Sequence, residues 1–315
     1  MSFTKGKISF TACPISMGKA PIDILRLARE KSALPIELAM KTEDSGFASG
    51  SVLRDNEITE VNSMLGLEIV RLNYRETFKR IDNALMKANL QELEEHYKKD
   101  HRTDRIPRIE HKRMREDLKA FMERTAATSI RGTEFVITPE MLLIESTSEK
   151  MVDRILTVSA FNLGIEVNRK DVTAEEGRLF LTWLFKKQLE SGTVTDDADH
   201  VFLISGPLEF SAKDTSANVV RAKLEGVKVG IADEAAELLK THLIRKAKIR
   251  ISISSCTAHY WDFTFDADQR CFSAVDLPEN VRKEPCDRIA ALQSLFKIFS
   301  VLFDRFVKES EVENA

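Results

Sequence analysis

Residues 66–100 read GLEIVRLNYRETFKRIDNALMKANLQELEEHYKKD, and the point where their periodicity changes decides the fold. Gly66 to Leu72 is rich in Leu, Ile and Val, the composition of a strand. From Arg75 the repeat lengthens from two to about 3.6, so that Phe78, Ile81, Leu85 and Ala88 form one stripe of a helix ending near Lys98. Asp100 to Pro107 interrupts the pattern. Pro107 suits the first turn of a second helix, on which Met114, Leu118, Phe121 and Thr125 share a side. Glu134 to Ile137 and Met141 to Ile144 return to strand character. Two helices framed by strands read as an arm inserted into a sheet.

Working outward, Ile8, Phe10 and Ala12 alternate as one face of a short strand. A helix follows over Ile22 to Lys31, with Ile22, Leu25 and Ala28 inward. Glu43 to Ser51 (EDSGFASGS) reads as a Gly/Ser loop. Beyond the arm come a helix over Glu149 to Phe161, a strand near Ile165 to Val167 and a helix over Ala174 to Leu189. Thr173 and Glu176 have capping-box spacing at the start of that last helix. Residues 191–200 form a polar loop. Strands are expected at Val201 to Ile204, Val219 to Leu224, Val227 to Gly230, Ile249 to Ile253 and Tyr260 to Phe265, with a helix over Asp233 to His242. A long apolar helix over Cys286 to Lys308 closes the chain. The fold class is α+β, antiparallel sheets with flanking helices and an inserted helical arm. Three parts are expected: an N-terminal domain of 1–74 and 132–170, the arm of 75–131, and a C-terminal domain of 171–315.

With 315 residues and 43% hydrophobic content the chain can bury a large core. Its net charge is −3, so a nucleic-acid reading depends on where the charge sits. Residues 96–131 hold eleven Lys or Arg against six acids, a local +5 that leaves −8 for the remainder. Clustered cations of this kind release counterions on meeting phosphates. Lys98, Lys99, Arg102, Arg105, Arg108, Lys112, Arg113, Arg115 and Lys119 are the candidate contacts. Arg221 and Lys223 share one face of a strand and join them. A solvated charged helix face is the competing reading. Arg245, Lys246, Lys248 and Arg250 make a further basic cluster at a helix-to-strand junction.

Catalytic and metal chemistry has little foothold. The chain has no P-loop, G-x-G-x-x-G, G-x-S-x-G or H-E-x-x-H pattern. His96, His101 and His111 lack the i, i+4 spacing of a helical metal pair. The acid pairs Glu94/Glu95, Glu116/Asp117, Asp196/Asp197 and Asp266/Asp268 have no diagnostic frame, and Glu209 with Lys213 only faintly suggests a nuclease metal site. No catalytic residue, metal or cofactor is therefore assigned. Cys13, Cys256, Cys271 and Cys286 form no C-x-x-C, as suits reduced thiols in a cytoplasmic protein. MSFTKGKISF lacks a signal-peptide core, and no uncharged run is long enough to span a membrane. On the closing helix Ile289, Leu292, Phe296, Phe299, Phe303 and Phe306 form one apolar stripe and Leu295, Ile298 and Leu302 a second, so the helix either fills the chain's own core or packs on a partner chain, with Leu292, Phe296, Phe299 and Phe303 as the candidate dimer contacts.

The order of these segments resembles the RdgC family of recombination-associated bacterial proteins over nearly the whole chain. The points of likeness are a Gly-aromatic turn at Gly46-Phe47, the charged helical insertion of 75–130, and the Ser-rich helix start LLIESTSEKMVDRIL at 142–156. Leu181-Thr182-Trp183 and the strand VVRAK at 219–223 complete them. The chain departs from the family in FMERTAATSIR at 121–131, with Ala126, Ala127 and Thr128 where an aromatic is expected, and in Leu224 and Glu225 after the VVRAK strand. The resemblance implies a nucleoid-associated, ring-shaped homodimer. It would bind double- and single-stranded DNA with little sequence preference and limit the recombinase RecA by occupying DNA. The family has also carried an exonuclease label. A module that sets the basic arm on an acidic protein partner and a metal-dependent exonuclease are the alternatives.

Overall fold

The computed structural model describes residues 3, 6–16, 18–35, 43–50, 53, 58, 61–64, 67–167, 173–212, 221–224, 232–253, 256–281 and 284–313. The fold is α+β, a large antiparallel sheet with seven helices among the described residues. Contacts divide it into two units. One comprises Met1–Leu25, Val61–Arg71 and Glu134–Ala315; the other comprises Arg26–Glu60 and Leu72–Thr133. This division differs from the expected three parts because the chain's first strand belongs with its last.

That first strand, β1 (Ile8–Ser16), sits between two others of the first unit. It pairs antiparallel with β13 (Cys271–Asp276), matching Ile8 with Val275 and Phe10 with Phe272. On its other edge it pairs with β6 (Met141–Ile144). The sheet runs outward from β13 through β12 (Cys256–Asp266), β11 (His242–Ile253) and β9 (His200–Ala212) to β10 (Arg221–Leu224). From β6 it continues through β5 (Thr128–Ile137) to β4 (Leu67–Lys79), with β3 (Val61–Met64) on β4. β7 (Glu166–Val167) pairs with β1, and β8 (Val194–Thr195) with β9. The short strand β13 has no counterpart in the sequence reading, and the strand expected at Val227 to Gly230 lies outside the described residues.

Two helices cover the apolar face of this sheet. α5 (Ala174–Ser191) starts on the expected capping box: Thr173 Oγ1 accepts from the Glu176 amide at 3.1 Å, and the Thr173 amide donates to Glu176 at 2.7 Å. It contributes Phe180, Leu181, Leu184 and Phe185 to the core, while α7 (Pro285–Glu313) contributes Ile289, Leu292, Leu295, Phe299 and Leu302. Phe299 lies at the centre of an aromatic cluster, 4.7 Å from Phe265 and 5.1 Å from both Phe180 and Phe272 between ring centroids. Leu292 and Phe299 are thus buried in the chain's own core, which overturns their placement in a dimer interface. Phe296 and Phe303 are only half-buried and flank an apolar groove of about 540 Å³ beside β1. Of the remaining helices, α6 is Ala232–Thr241. α4 (Glu149–Val158) runs into a single π-type turn at Ser159–Leu163. In α1 (Pro21–Glu30) Leu25 and Ala28 are buried as expected, but Ile22 is exposed and Ile24 takes the inward place.

A buried charge cluster ends the first unit's part of β4. Arg71 Nε meets Glu134 Oε1 at 2.5 Å with both side chains almost wholly buried. The Glu145 amide donates to the Glu134 carbonyl at 2.8 Å. Burial, and then the Glu134 carboxylate, push the Glu145 carboxyl up to about 7. A carboxyl whose folded value is raised favours the fold below its unfolded value near 4.5, and that contribution is lost as pH rises through about 7. Glu145→Gln is therefore expected to raise stability at pH 8 by about 1–2 kcal/mol and to change little at pH 4, after discounting for partial exposure. Urea unfolding across that range checks it.

The second unit corrects two sequence expectations at once. Residues 43–49 are not a loop but a strand, β2 (Glu43–Ser49). It pairs antiparallel with the second half of β4, from Glu43 opposite Phe78 to Ser49 opposite Leu72. Arg75 to Lys79 are accordingly strand rather than helix, because β2 supplies their ladder partners. Asn73 Nδ2 donates to the Ser49 carbonyl at 2.7 Å. Arg75, opposite Gly46, is fully buried. Its guanidinium donates to the carbonyls of Leu34 and Leu53, which replace the water it loses.

Candidate nucleic-acid interface

The arm is a helical hairpin. α2 (Asn83–Asp100) begins four residues after β4 ends, and α3 (Arg108–Thr125) returns. Asp82 caps α2, its Oδ1 accepting from the amides of Ala84 at 2.8 Å and Leu85 at 3.3 Å. Each helix has 18 residues and so is about 27 Å long. Little apolar surface is buried along that length: none of α2's residues is fully buried, and in α3 only Leu118 and Met122 are. The expected stripe of Phe78, Ile81, Leu85 and Ala88 fails, since Phe78 is in β4 and Leu85 and Ala88 are exposed. Phe121, expected inward on α3, is 63% exposed. Half-buried Met86, Leu90 and Tyr97 do the work on α2.

One polar contact between the helices marks the hairpin's sides. His111 Nε2 lies 2.8 Å from Glu94 Oε1 across the two helices. Residues one helical turn from either partner share its side of the hairpin. Lys98 lies one turn beyond Glu94, and Arg108 and Arg115 lie one turn either side of His111. Lys112 and Lys119 follow Arg108 at i+4 and i+11, within the same sector of α3. Arg108, Lys112, Arg115 and Lys119 thus make a ribbon about 16 Å long, joined on its flank by Lys98. All five are exposed. Lys99 turns to the back of α2, and Arg113 lies off the ribbon, so the expected phosphate contacts do not all share one face. Arg102 and Arg105 occupy the connection at the tip and are exposed.

Neutralisation along the ribbon is slight. Lys112 and Lys119 reach Glu116 at 3.8 Å and Glu123 at 3.7 Å, and Arg113 reaches Asp117 at 3.8 Å. Exposed i, i+4 pairs at such distances contribute only a few tenths of a kcal/mol and yield readily to a phosphate. Lys98, Lys99, Arg102, Arg105, Arg108 and Arg115 have no ion-pair partner among the described residues.

The tip also carries backbone strain that the sequence reading missed. α2 ends in a Schellman turn, the Thr103 amide donating to the Lys98 carbonyl at 3.0 Å. The left-handed position of that turn, where glycine is preferred, is Arg102, with φ of 45°. Arg102→Gly is expected to stabilise the protein by about 0.5–1 kcal/mol, and the same change removes a tip cation. Thermal melts paired with DNA-binding isotherms separate the two effects. The expected signature is a higher Tm together with weaker binding.

The other basic positions differ in kind. The cations of β11 lie within a charge network of the sheet. Arg245 meets Glu209 and Asp268 at 3.2 Å each, while Lys248 and Arg250 meet Asp262 at 2.9 and 3.3 Å. The Arg250 guanidinium also lies 4.2 Å over the Tyr260 ring. They form part of a strand rather than the helix-to-strand junction expected. Arg221 and Lys223 fall on β10, in register with Ser211 and Glu209.

Members of two of the acid pairs have structural partners. Asp196 Oδ1 accepts from the amides of Ala198 at 3.0 Å and His200 at 2.8 Å, and Asp268 pairs with Arg178 at 2.7 Å. Among the described residues no group of three His, Cys, Asp or Glu could hold a metal ion. Lys213 lies outside the described residues. Burial, then the Asp266 carboxylate, push the Cys271 thiol up to about 12, which leaves it a poor nucleophile. No helix among the described residues is long and apolar enough to cross a membrane. Neither a family model nor a curated protein matches the chain.

Proposed function

We propose that this protein binds DNA without reading its sequence, through the cationic ribbon of the α2–α3 hairpin. The observation that carries the reading is the run of Arg108, Lys112, Arg115 and Lys119 along one exposed side of α3, with Lys98 beside it. Side chains spaced by helical turns along about 16 Å meet successive phosphates but have no fixed relation to base edges. Such contacts position a polyanion and leave its sequence unread.

With about five phosphate contacts the logarithm of affinity falls with that of salt at a slope near −4.5, or about 500-fold between 50 and 200 mM. Gel-shift titrations over that range, on two duplexes of unrelated sequence, test the reading. Equal affinities that fall together support it; binding that ignores salt refutes it. An acidic protein retained by the hairpin after nuclease treatment would instead favour the interaction-module alternative.

The resemblance to RdgC extends the proposal to a nucleoid-associated homodimer that limits RecA by competing for DNA. Of the four apolar residues first considered for the dimer contact, half-buried Phe296 and Phe303 remain candidates. Sedimentation of the full chain tests the dimer, and RecA displacement on shared DNA tests the competition.

A further inference from the structure

One titratable side chain in the ribbon is not a permanent cation. His111 sits between Arg108 and Arg115 on α3, and its Nε2 lies 2.8 Å from Glu94 Oε1 on α2. Both side chains reach solvent, His111 at 45% exposed and Glu94 at 26%. From α2 the imidazole faces Glu94 and, one turn on, Lys98; along its own helix it faces Arg108 and Arg115. Glu110 and Lys112, its neighbours in sequence, project about 100° to either side. Arg108 and Arg115 lie about 4.5 and 6 Å from it along the axis, well inside the Debye length of about 10 Å at 0.1 M salt. Arginine and lysine keep their charge across the physiological range, whereas histidine gains or loses its own between pH 5 and 8. The ribbon thus has one position whose charge follows acidity, set directly against an acid.

We infer that DNA binding by the hairpin is linked to proton uptake at His111, so that the protein holds DNA more tightly as pH falls from 8 to 5.5. The inference rests on the DNA-binding reading above and names a regulation of that same site. While His111 is neutral its ring N–H can still donate to Glu94, but the pair then carries −1 in the middle of the ribbon. Adding a proton makes the pair neutral overall, and Lys98, Arg108, Lys112, Arg115 and Lys119 meet phosphates without that opposing charge. A polyanion lying along the ribbon therefore favours the charged imidazole. The linkage is reciprocal: the proton raises DNA affinity by the same factor by which DNA raises proton affinity. One added charge is equivalent to about one more phosphate contact, or about eightfold in affinity at 100 mM salt.

The test measures fluorescence anisotropy of the full chain on one labelled duplex at 100 mM salt, at pH 8 and at pH 5.5. Wild type is expected to bind about eightfold more tightly at pH 5.5. His111→Gln keeps a donor for Glu94 but cannot be charged, and it is expected to bind at pH 5.5 about as weakly as wild type does at pH 8. Glu94→Gln removes the acid, and it is expected to bind about eightfold more tightly than wild type at pH 8. His101→Gln, which leaves the pair intact, should keep the wild-type response. Thermal melts at both pH values establish that each variant is folded where it is assayed. Calorimetric titrations at pH 6.5 in phosphate and in imidazole, buffers of different ionisation enthalpy, count the protons directly: wild type takes up part of a proton on binding DNA, and H111Q loses that uptake. Equal wild-type affinity at the two pH values, or a response that survives in full in H111Q, overturns the inference while salt-dependent DNA binding stands. E94Q binding no more tightly than wild type at pH 8 overturns it as well. Failure to bind the duplex at either pH at low salt would instead remove the DNA-binding reading and this inference with it.

Discussion

Changing Lys112 and Arg115 together to glutamate is expected to weaken duplex binding by at least a hundredfold at 100 mM salt, with no measurable change in thermal stability. Two phosphate contacts are lost, which brings the salt slope from about −4.5 to about −2.7. Two negative charges then face the polyanion, and repulsion adds to the loss. The ribbon's side chains are exposed, and the Lys112–Glu116 pair contributes little to the fold, so stability has little to lose. The same reversal at Lys246 and Lys248 should behave in the opposite way. Lys246 lies 3.7 Å from Asp266 and Lys248 lies 2.9 Å from Asp262, and both acids are largely buried. Carboxylates placed there would face carboxylates, lowering stability more than DNA affinity. Melts and salt-resolved binding curves on both double variants distinguish a charge that serves a ligand from one that serves the sheet. If K112E/R115E binds as wild type does, the ribbon is not the DNA contact.

The contrast between those two pairs marks how far the sequence could be read. Charge density alone identified residues 96–131, and the hairpin there is real. Which cations share a side was not legible, because it depends on the azimuth of each helix, which the Glu94–His111 contact reports here. Lys99 and Arg113 have the same composition signal as Lys98 and Lys112 yet turn elsewhere. The β11 cations raised the same signal, and nothing local announced that Glu209, Asp262, Asp266 and Asp268 would converge on them from β9, β12 and the turn after β12. Long-range pairing also decided the terminal helix. Its two apolar stripes were plain, but whether they faced a partner or the chain's own sheet turned on Phe265 and Phe272, which meet Phe299 from β12 and β13.

The largest misreading at the base of the arm has one cause. Glu43 to Ser49 contains two serines and a glycine in seven residues and looks like a loop; Arg75 to Lys79 is charged and looks like the start of a helix. Each becomes a strand only because the other is there. Local propensity describes a segment by itself, whereas a ladder partner is a property of the fold. Arg75 shows this sharply, since a buried arginine is tolerable only where carbonyls such as those of Leu34 and Leu53 are already positioned to receive it.

Gly46→Ala is accordingly expected to cost about 3 kcal/mol, far more than a methyl group on a strand should. A Cβ at Gly46 would lie 2.6 Å from the Ala33 nitrogen, 2.7 Å from its Cα and 2.9 Å from the Lys31 carbonyl oxygen. These are backbone atoms, and they are pinned. The Ala33 amide donates to the Phe47 carbonyl at 2.8 Å, and the Phe47 amide donates to the Lys31 carbonyl at 3.1 Å. Relief would require breaking those bonds or parting β2 from β4, and β4 carries the chain into the hairpin. Gly132→Ala provides the control. A Cβ there would meet only the side chain of Leu53, whose terminal carbons can rotate away, so a change below about 1 kcal/mol is expected. Urea unfolding of the two variants checks the difference. Equal losses would mean that residues 31–33 are not held against Phe47 as the hydrogen bonds require. A large loss at Gly46 alone would establish that the segment most loop-like in composition is the strand on which the arm is built.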